Sequence, residues 1–357
     1  MRKCRLFGKP ANFFMNIIMR YFKWSFLVLV CGMVFAFWRG ESVQAGLGFK
    51  DLIAALIISA LEVSLSFDNA VVNAAKLEKM PPIWRRRFLT WGIAIAVFGM
   101  RFVFPIVIVA AFSGISCGAV LDLALHNPDE YAAHLSHAHV GISSFGGAFL
   151  FMLFFEFMFD REKTLHWISP LEKPLHKLGR FKIAPTLLTL AALCAVQFFI
   201  PSDEIKISFL AGVAGVATHL AIHGASGKLE KMAAQKHAFA LKHAGLAAFI
   251  YLELIDASFS LDGVLGAFAL TKDIVIIALG LAVGAFFVRS MTVVLVEKKT
   301  LDKLLYLTHG AYWAIGSLAA LMFVSAVREV PEIITGLAGI ALIAASLVSS
   351  LRAPKKA

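Results

Sequence analysis

The sequence predicts an all-α polytopic membrane protein with about ten transmembrane helices, among them two inverted three-helix repeats. Three observations predict it. The chain of 357 residues is 59% hydrophobic and 16% charged, with a mean hydropathy of +0.79, whereas a soluble domain averages about 45–50% apolar and about 25% charged. The apolar residues gather into runs of bilayer length. An acidic heptapeptide occurs twice, inside two of those runs.

A helix needs about 17–25 residues to cross a bilayer. The candidate spans are 22–38, 52–75, 88–112, 139–159, 186–200, 206–223, 244–270, 274–296, 308–326 and 332–350, the fifth being the shortest. The first is read as a retained anchor rather than a cleaved signal, because Trp38-Arg39-Gly40-Glu41 separates its long apolar stretch from the small-residue site at Val43-Gln44-Ala45. The chain then divides into a basic N-terminal segment with its anchor (1–48), a first three-helix repeat (49–160), loops with two connecting helices (161–243), a second repeat (244–327), and a terminal helix with a basic tail (328–357).

Basic residues set the orientation. They cluster in the N-terminal segment, in 76–87, 161–182, 228–242 and 298–303, and at the C-terminus. Only Arg39, Lys50, Lys206, Lys272 and Arg328 fall on the other side, and Arg101 and Arg289 fall within spans. Ten spans with both termini cytoplasmic give this asymmetry. It also accounts for the net charge of +11 without a nucleic-acid partner. The four cysteines are scattered with no CxxC, so neither a disulfide framework nor a thiolate metal site is indicated.

The heptapeptide EVSLSFD at 62–68 matches DASFSLD at 256–262: acid-x-Ser-apolar-Ser-apolar-Asp. The match continues outward, with Arg101 and Arg289 in the following spans, then HVGISSFG from His139 and HGAYWAIG from His309. Spans two to four therefore pair with spans seven to nine. Span two runs inward and span seven outward, which makes them an inverted pair, an arrangement in which transporters place a substrate site near the midplane.

On a helix, Glu62, Ser66, Asn69 and Asn73 share one face. In the second copy the stripe begins at Asp256 and Ser260, with Glu253 one turn earlier. Asp68 and Asp262 lie six residues after the leading acid, so either the helix is interrupted near Ser-x-Ser or each Asp faces a different neighbour. An acid at the centre of a spanning helix costs about 2.5–3.5 kcal/mol. With Glu62, Asp68, Asp256 and Asp262 so placed, a functional reading is favoured over mere helix association. Arg101 and Arg289 can neutralise two of them, leaving a charge that suits one divalent cation. Carboxylate, hydroxyl and amide oxygens favour hard ions such as Mn²⁺, Ca²⁺ or Mg²⁺.

Other features carry less. Glu156 and Asp160 end the fourth span, His219 and His223 are spaced i, i+4 at a span end read as hydrated, and His139 and His309 are read as interfacial or path-lining. The segment 121–139 is read as an amphipathic surface loop. There is no Walker sequence or HExxH, and the expectation is a protein that is not an enzyme and holds no tightly bound cofactor.

LEVSLSFDNAVVNA and ELIDASFSLDGVLGAFALT resemble the paired signatures of the TerC integral membrane proteins, within the LysE-like exporter superfamily. WGIAIAVFGMRFVFP and HGAYWAIG resemble an uncharacterised DUF-type branch of it. The resemblance covers most of 50–350. It implies a multi-pass protein of the bacterial inner membrane that exports a divalent metal ion, chiefly manganese, with links to tellurium resistance. The metal site it implies is Glu62, Asp68, Asn69, Asp256 and Asp262; the polar stripes and the repeat themselves add Ser66, Asn73, Arg101, His139, Glu253, Ser260, Arg289 and His309 as candidate supporting residues. Gly263 stands where the wider family has Ser, one oxygen fewer. The implied partners are the cation and the bilayer, with self-association compatible. The alternative is a non-transporting membrane partner in metal-stress or tellurium-resistance complexes.

Overall fold

The computed structural model describes residues 18–234, 238–328 and 330–353, with side chains left aside at 79, 93, 112, 226–244, 258–262, 265, 269, 302, 332 and 333. The described residues are helical and include no strand. After a π-helical turn (Ile18–Phe22) come α1 (Lys23–Val43), α2 (Leu47–Leu65), α3 (Phe67–Lys79), α4 (Pro82–Phe88) and α5 (Trp91–Ala94). A π-helical segment (Ile95–Val103) leads into α6 (Phe104–Ser113), followed by α7 (Cys117–His126), α8 (Pro128–Phe159), α9 (Ser169–Leu178), α10 (Ala184–Gln197) and α11 (Ile205–Ala234). The rest is α12 (Ala238–Leu270), α13 (Ile274–Glu297), α14 (Thr300–Lys303), α15 (Leu307–Ser325) and α16 (Glu332–Arg352).

Among the described residues, six helices are long and apolar enough to cross a membrane, or seven if the bent pair α2–α3 is one span. The protein is therefore a multi-pass membrane protein, with fewer unambiguous spans than the ten expected. The differences are physical. The expected third span is divided among α5, the π segment and α6. The fifth, α10, has 14 residues, about 21 Å at 1.5 Å per residue, against a hydrocarbon core of about 30 Å. The seventh lies within α12, which carries Glu253 and Asp256 along its apolar run.

Local sequence sets the ends of these helices. Asp273 caps α13 by accepting the N–H groups of Val275 and Ile276 at 2.9 and 3.3 Å, the role short acidic side chains fill at a helix start. Gly114 ends α6 at φ 69°, a left-handed conformation that glycine adopts without steric cost.

Packing is centred on α8, α13 and α15, whose apolar stretches are mostly buried, while α1, α11 and α16 lie at the edge. The largest apolar cluster joins α3, α8, α12, α13 and α15 through residues such as Leu77, Phe149, Leu252, Val288 and Ile315. Cross-packing follows a pattern: α2 and α3 pack on α13, and α12 on the π segment; α3 packs on α15, and α12 on α8; α8 and α15 pack on each other. Polar ties cross the apolar interior. Ser25 Oγ meets Ser290 Oγ at 2.8 Å and donates to Phe286 O, and Ser144 meets Ser208 at 2.8 Å.

The contact of α2 with α13 is unusually close because Gly280 and Gly284 form a GxxxG face. A Cβ on Gly280 would stand 2.8 Å from Ile58 Cβ, and one on Gly284 2.5 Å from Glu62 Cβ. Small residues at this spacing let helix backbones approach inside a membrane. Ser59 Oγ uses the approach to donate to Gly280 O at 3.0 Å.

The 160–183 segment folds back onto α15. Glu172 on α9 is fully buried. It accepts from Lys163 Nζ at 3.1 Å, from the Ile168 N–H at 3.2 Å and from Trp313 Nε1 at 3.0 Å. Burial pushes the Glu172 carboxyl up, but the Trp313 and Ile168 donors with Lys163 and His309 outweigh it and hold it below the usual carboxylate range. Burial, more than Glu172 opposes it, brings the Lys163 ammonium below its ordinary value.

Candidate functional site

The first acidic motif is built around a break. α2 ends at Leu65 and α3 starts at Phe67, bent by 47°. At the junction the Ser66 N–H still donates to Glu62 O at 3.0 Å, and the Ser66 hydroxyl donates to Glu62 Oε1 at 2.8 Å. Of the two outcomes open for the Ser-x-Ser region, the first copy takes interruption. The second copy does not: α12 runs as one helix through 256–262.

The break sends the acids of one motif to different neighbours. Glu62, 2% exposed, turns toward the π segment, where Arg101 donates to it through Nη2 and to Ala96 O through Nη1. Asp68 turns the other way. It receives the Asn69 N–H at 2.9 Å and lines a separate cavity with Ser64, Leu65, Ala314 and Thr335.

On the Glu62 side, Asn69 Nδ2 donates to Asp256 Oδ1, so the two motif helices are joined by an amide–carboxylate contact. Asp256, Glu253, Asn73 and Arg101 line one cavity, closed by Gly92 and by the α13 residues Ala285 and Val288. Gly92 matters by size, since a Cβ there would stand 2.9 Å from Glu253 Oε1. Five buried oxygens here, Asn69 Oδ1, Asn73 Oδ1, both of Glu253 and Asp256 Oδ2, have no hydrogen-bond partner. Buried polar groups left so are rare and costly. Chemically the set is acceptor-only, carboxylate and amide oxygen, suited to a hard cation.

Most expected site residues therefore converge: Glu62, Ser66, Asn69, Asn73, Arg101, Glu253 and Asp256. Asp68 does not join them. The side chains of Asp262 and Ser260 lie outside the described residues. Arg289 reaches the same cavity but donates through Nε to Leu89 O at 2.7 Å, not to an acid, so the expected second counter-charge is directed at a peptide carbonyl. His139 contacts Ser143 and Ser325 at 3.3 and 3.1 Å, and His309 meets Leu165 O at 2.8 Å; neither contact involves the acids. Among the described residues, no three His, Cys, Asp or Glu side chains stand so as to hold a metal ion. Two acids and two amides make up the open set, and the third acid, Glu62, is engaged by Arg101.

Sequence reasoning missed two supports of the site. The GxxxG face at 280–284 presses α13 against Glu62, and its signal was legible in IIALGLAVGAFF. Gly92 leaves room for Glu253, and no local pattern announced that. One expectation is corrected: His219 is 1% exposed, not hydrated, with Glu156 Oε2 at 3.3 Å.

Searches of curated proteins and of solved structures returned no match. The family model described as "Protein of unknown function (DUF475)" matches residues 67–357, and with most of its length covered the chain belongs to that family.

Proposed function

We propose that the protein is a secondary transporter that exports a hard divalent cation, Mn²⁺ first, from the cytoplasm across the bacterial inner membrane. The observation that carries the reading is the group of five unpartnered oxygens on Asn69, Asn73, Glu253 and Asp256, buried among apolar helices beside the Arg101–Glu62 pair. Intramembrane acids face bundle interiors and mark ion pathways. Arg101 acts as the internal counter-ion, neutralising Glu62 when no cargo is held. Asp68, in its separate cavity, serves the path beside the central set.

The same reading takes the chain as ten spans with both termini cytoplasmic and two inverted three-helix repeats. The reciprocal packing supports it: α2–α3 against α13 answers α12 against the π segment, and α3 against α15 answers α12 against α8. It places the protein beside the TerC exporters, on the motif resemblance.

The test is Mn²⁺ accumulation in cells expressing the wild type, Asp68→Asn, Asp256→Asn or Asp262→Asn. The wild type is expected to lower cellular Mn²⁺, and Asp256→Asn to abolish the effect. Equal export by all four would sink the reading.

A further inference from the structure

A second titratable cluster lies outside the acid site. Glu156 on α8 faces two histidines one turn apart on α11. His223 Nδ1 stands 2.7 Å from Glu156 Oε1, and His219 Nε2 3.3 Å from Glu156 Oε2. The imidazoles stack, centroids 5.9 Å apart. His219 is buried, and neither of its ring nitrogens makes a hydrogen bond. His223 is half exposed, so the cluster reaches from the interior toward solvent.

The chemistry of the group is a carboxylate between two bases. Each imidazole takes up one proton on a ring nitrogen lone pair, and the carboxylate beside it stabilises the imidazolium. No covalent bond breaks and no redox partner is required. A metal fits less well as occupant, since the carboxylate already lies against both rings and no three-ligand set stands ready among the described residues. The other groups facing it are Asp160 one turn on along α8, Tyr251 on α12, Lys76 on α3 with its ammonium 5.0 Å from the Tyr251 ring centre, and Tyr312 on α15. The titratable residue of α10 is Cys194, which is exposed.

Position connects it to the acid site. Tyr251 packs against both imidazoles, at 6.2 and 6.5 Å, and lies two residues before Glu253 on α12. Lys76 lies three residues after Asn73 on α3. Of the two helices that hold the acid cluster, α12 thus meets the histidines within one turn through Tyr251, and α3 reaches that same ring through Lys76.

We propose that Glu156, His219 and His223 form a proton-binding site, the ligand being the proton exchanged for the cation; its purpose rests on the transport reading above, its existence does not. The experiment uses the purified full chain in vesicles, with Mn²⁺ flux followed under imposed proton gradients, for wild type, Glu156→Gln, His219→Gln and the milder His223→Gln. A one-proton linkage makes wild-type flux change by about tenfold per pH unit. The variants are expected to flatten this to within about twofold, while calorimetric Mn²⁺ binding at the acid site is kept. Variants that retain the wild-type pH dependence overturn the proposal. If the wild type moves no Mn²⁺, the transport reading fails alone, and ¹⁵N-histidine NMR decides the site. Titrations of His219 and His223 that change in Glu156→Gln support it, and unchanged ones overturn it. One equivalent of Zn²⁺ bound by wild type and lost in His219→Gln, with those titrations unchanged, also overturns it in favour of a metal.

Discussion

Removing Arg101 tests the electrostatic centre of the site. Its side chain is 3% exposed and that of Glu62 2%, so neither charge is relieved by water. Arg101→Met leaves Glu62 buried with the Ser66 hydroxyl as its remaining donor. Breaking a buried pair from one side costs about 3–5 kcal/mol. Glu62→Gln is milder, because Arg101 keeps its bond to Ala96 O and the nearby carboxylate of Asp256, and about 1–3 kcal/mol is expected for it. The double variant removes both charges together and is expected to regain about 1–3 kcal/mol of the summed single costs. The assay is denaturant or thermal unfolding of the four proteins in one detergent, read as a double-mutant cycle. Single costs that add to within about 0.5 kcal/mol would refute the coupling and, with it, Arg101 as counter-ion.

Three further outcomes are expected. Glu172→Ala strands Lys163 and the Trp313 N–H, costing about 3–5 kcal/mol; hydrogen exchange should show the 160–183 segment released while α8 and α15 stay protected. Because the folded Glu172 carboxyl is held below its usual value, its stabilisation is complete above the unfolded value of about 4.3 and is lost as pH falls through the lower folded value; a segment that stays as protected in strong acid as at neutral pH would contradict this sign. Gly284→Val drives a side chain into Glu62 and Ser59 O, 2.5 and 3.0 Å from where its Cβ must lie, and is expected to lower stability by about 1–3 kcal/mol, checked by thermal unfolding. A Cβ at Gly263 meets Glu62 Oε2 at 2.8 Å; Gly263→Ala should weaken Mn²⁺ binding and Gly263→Ser, which adds an oxygen, should recover part of it, and identical calorimetric titrations of all three would separate Gly263 from the site.

How much of this was legible in the sequence depended on whether a signal was periodic or relational. Apolar runs placed α13, α15 and α16 to within a few residues, because the bilayer imposes one length on them; α8 instead begins at Pro128, inside the segment expected as a surface loop, and continues unbroken into the apolar run. The polar stripe Glu62–Ser66–Asn69–Asn73 survived as a face, because spacing alone determines it. The break at Ser66 was one of two readings, and only packing against α15 and α16 on one side and the π segment on the other decides it. Glu172 drew no reading of its own within the basic stretch 161–182; its burial involves Trp313, far away in sequence, and no local pattern encodes that contact. His219 looked like a hydrated helix end for the same reason: the helix that covers it, α8, arrives from elsewhere in the chain.

The two motifs are alike in letters and unlike in use. Six residues along a helix turn a side chain through about 240°, and the 47° bend adds to that, so Glu62 and Asp68 cannot serve one ion from one static position. What converges instead is complementary: Asn69 and Asn73 from the first motif supply amides, and Glu253 and Asp256 from the second supply carboxylates. Glu62, Glu253 and Asp256 against Arg101 leave two negative charges when all are ionised, the amount one divalent cation neutralises, while Arg289 is turned to the Leu89 carbonyl. The charge match anticipated from four motif acids is thus reached by a different set of three. A donor set split this way, amides on the broken helix and carboxylates on the continuous one, comes apart when α3 shifts against α12. On the transport reading proposed above, the cation site opens in this way without either helix having to unfold.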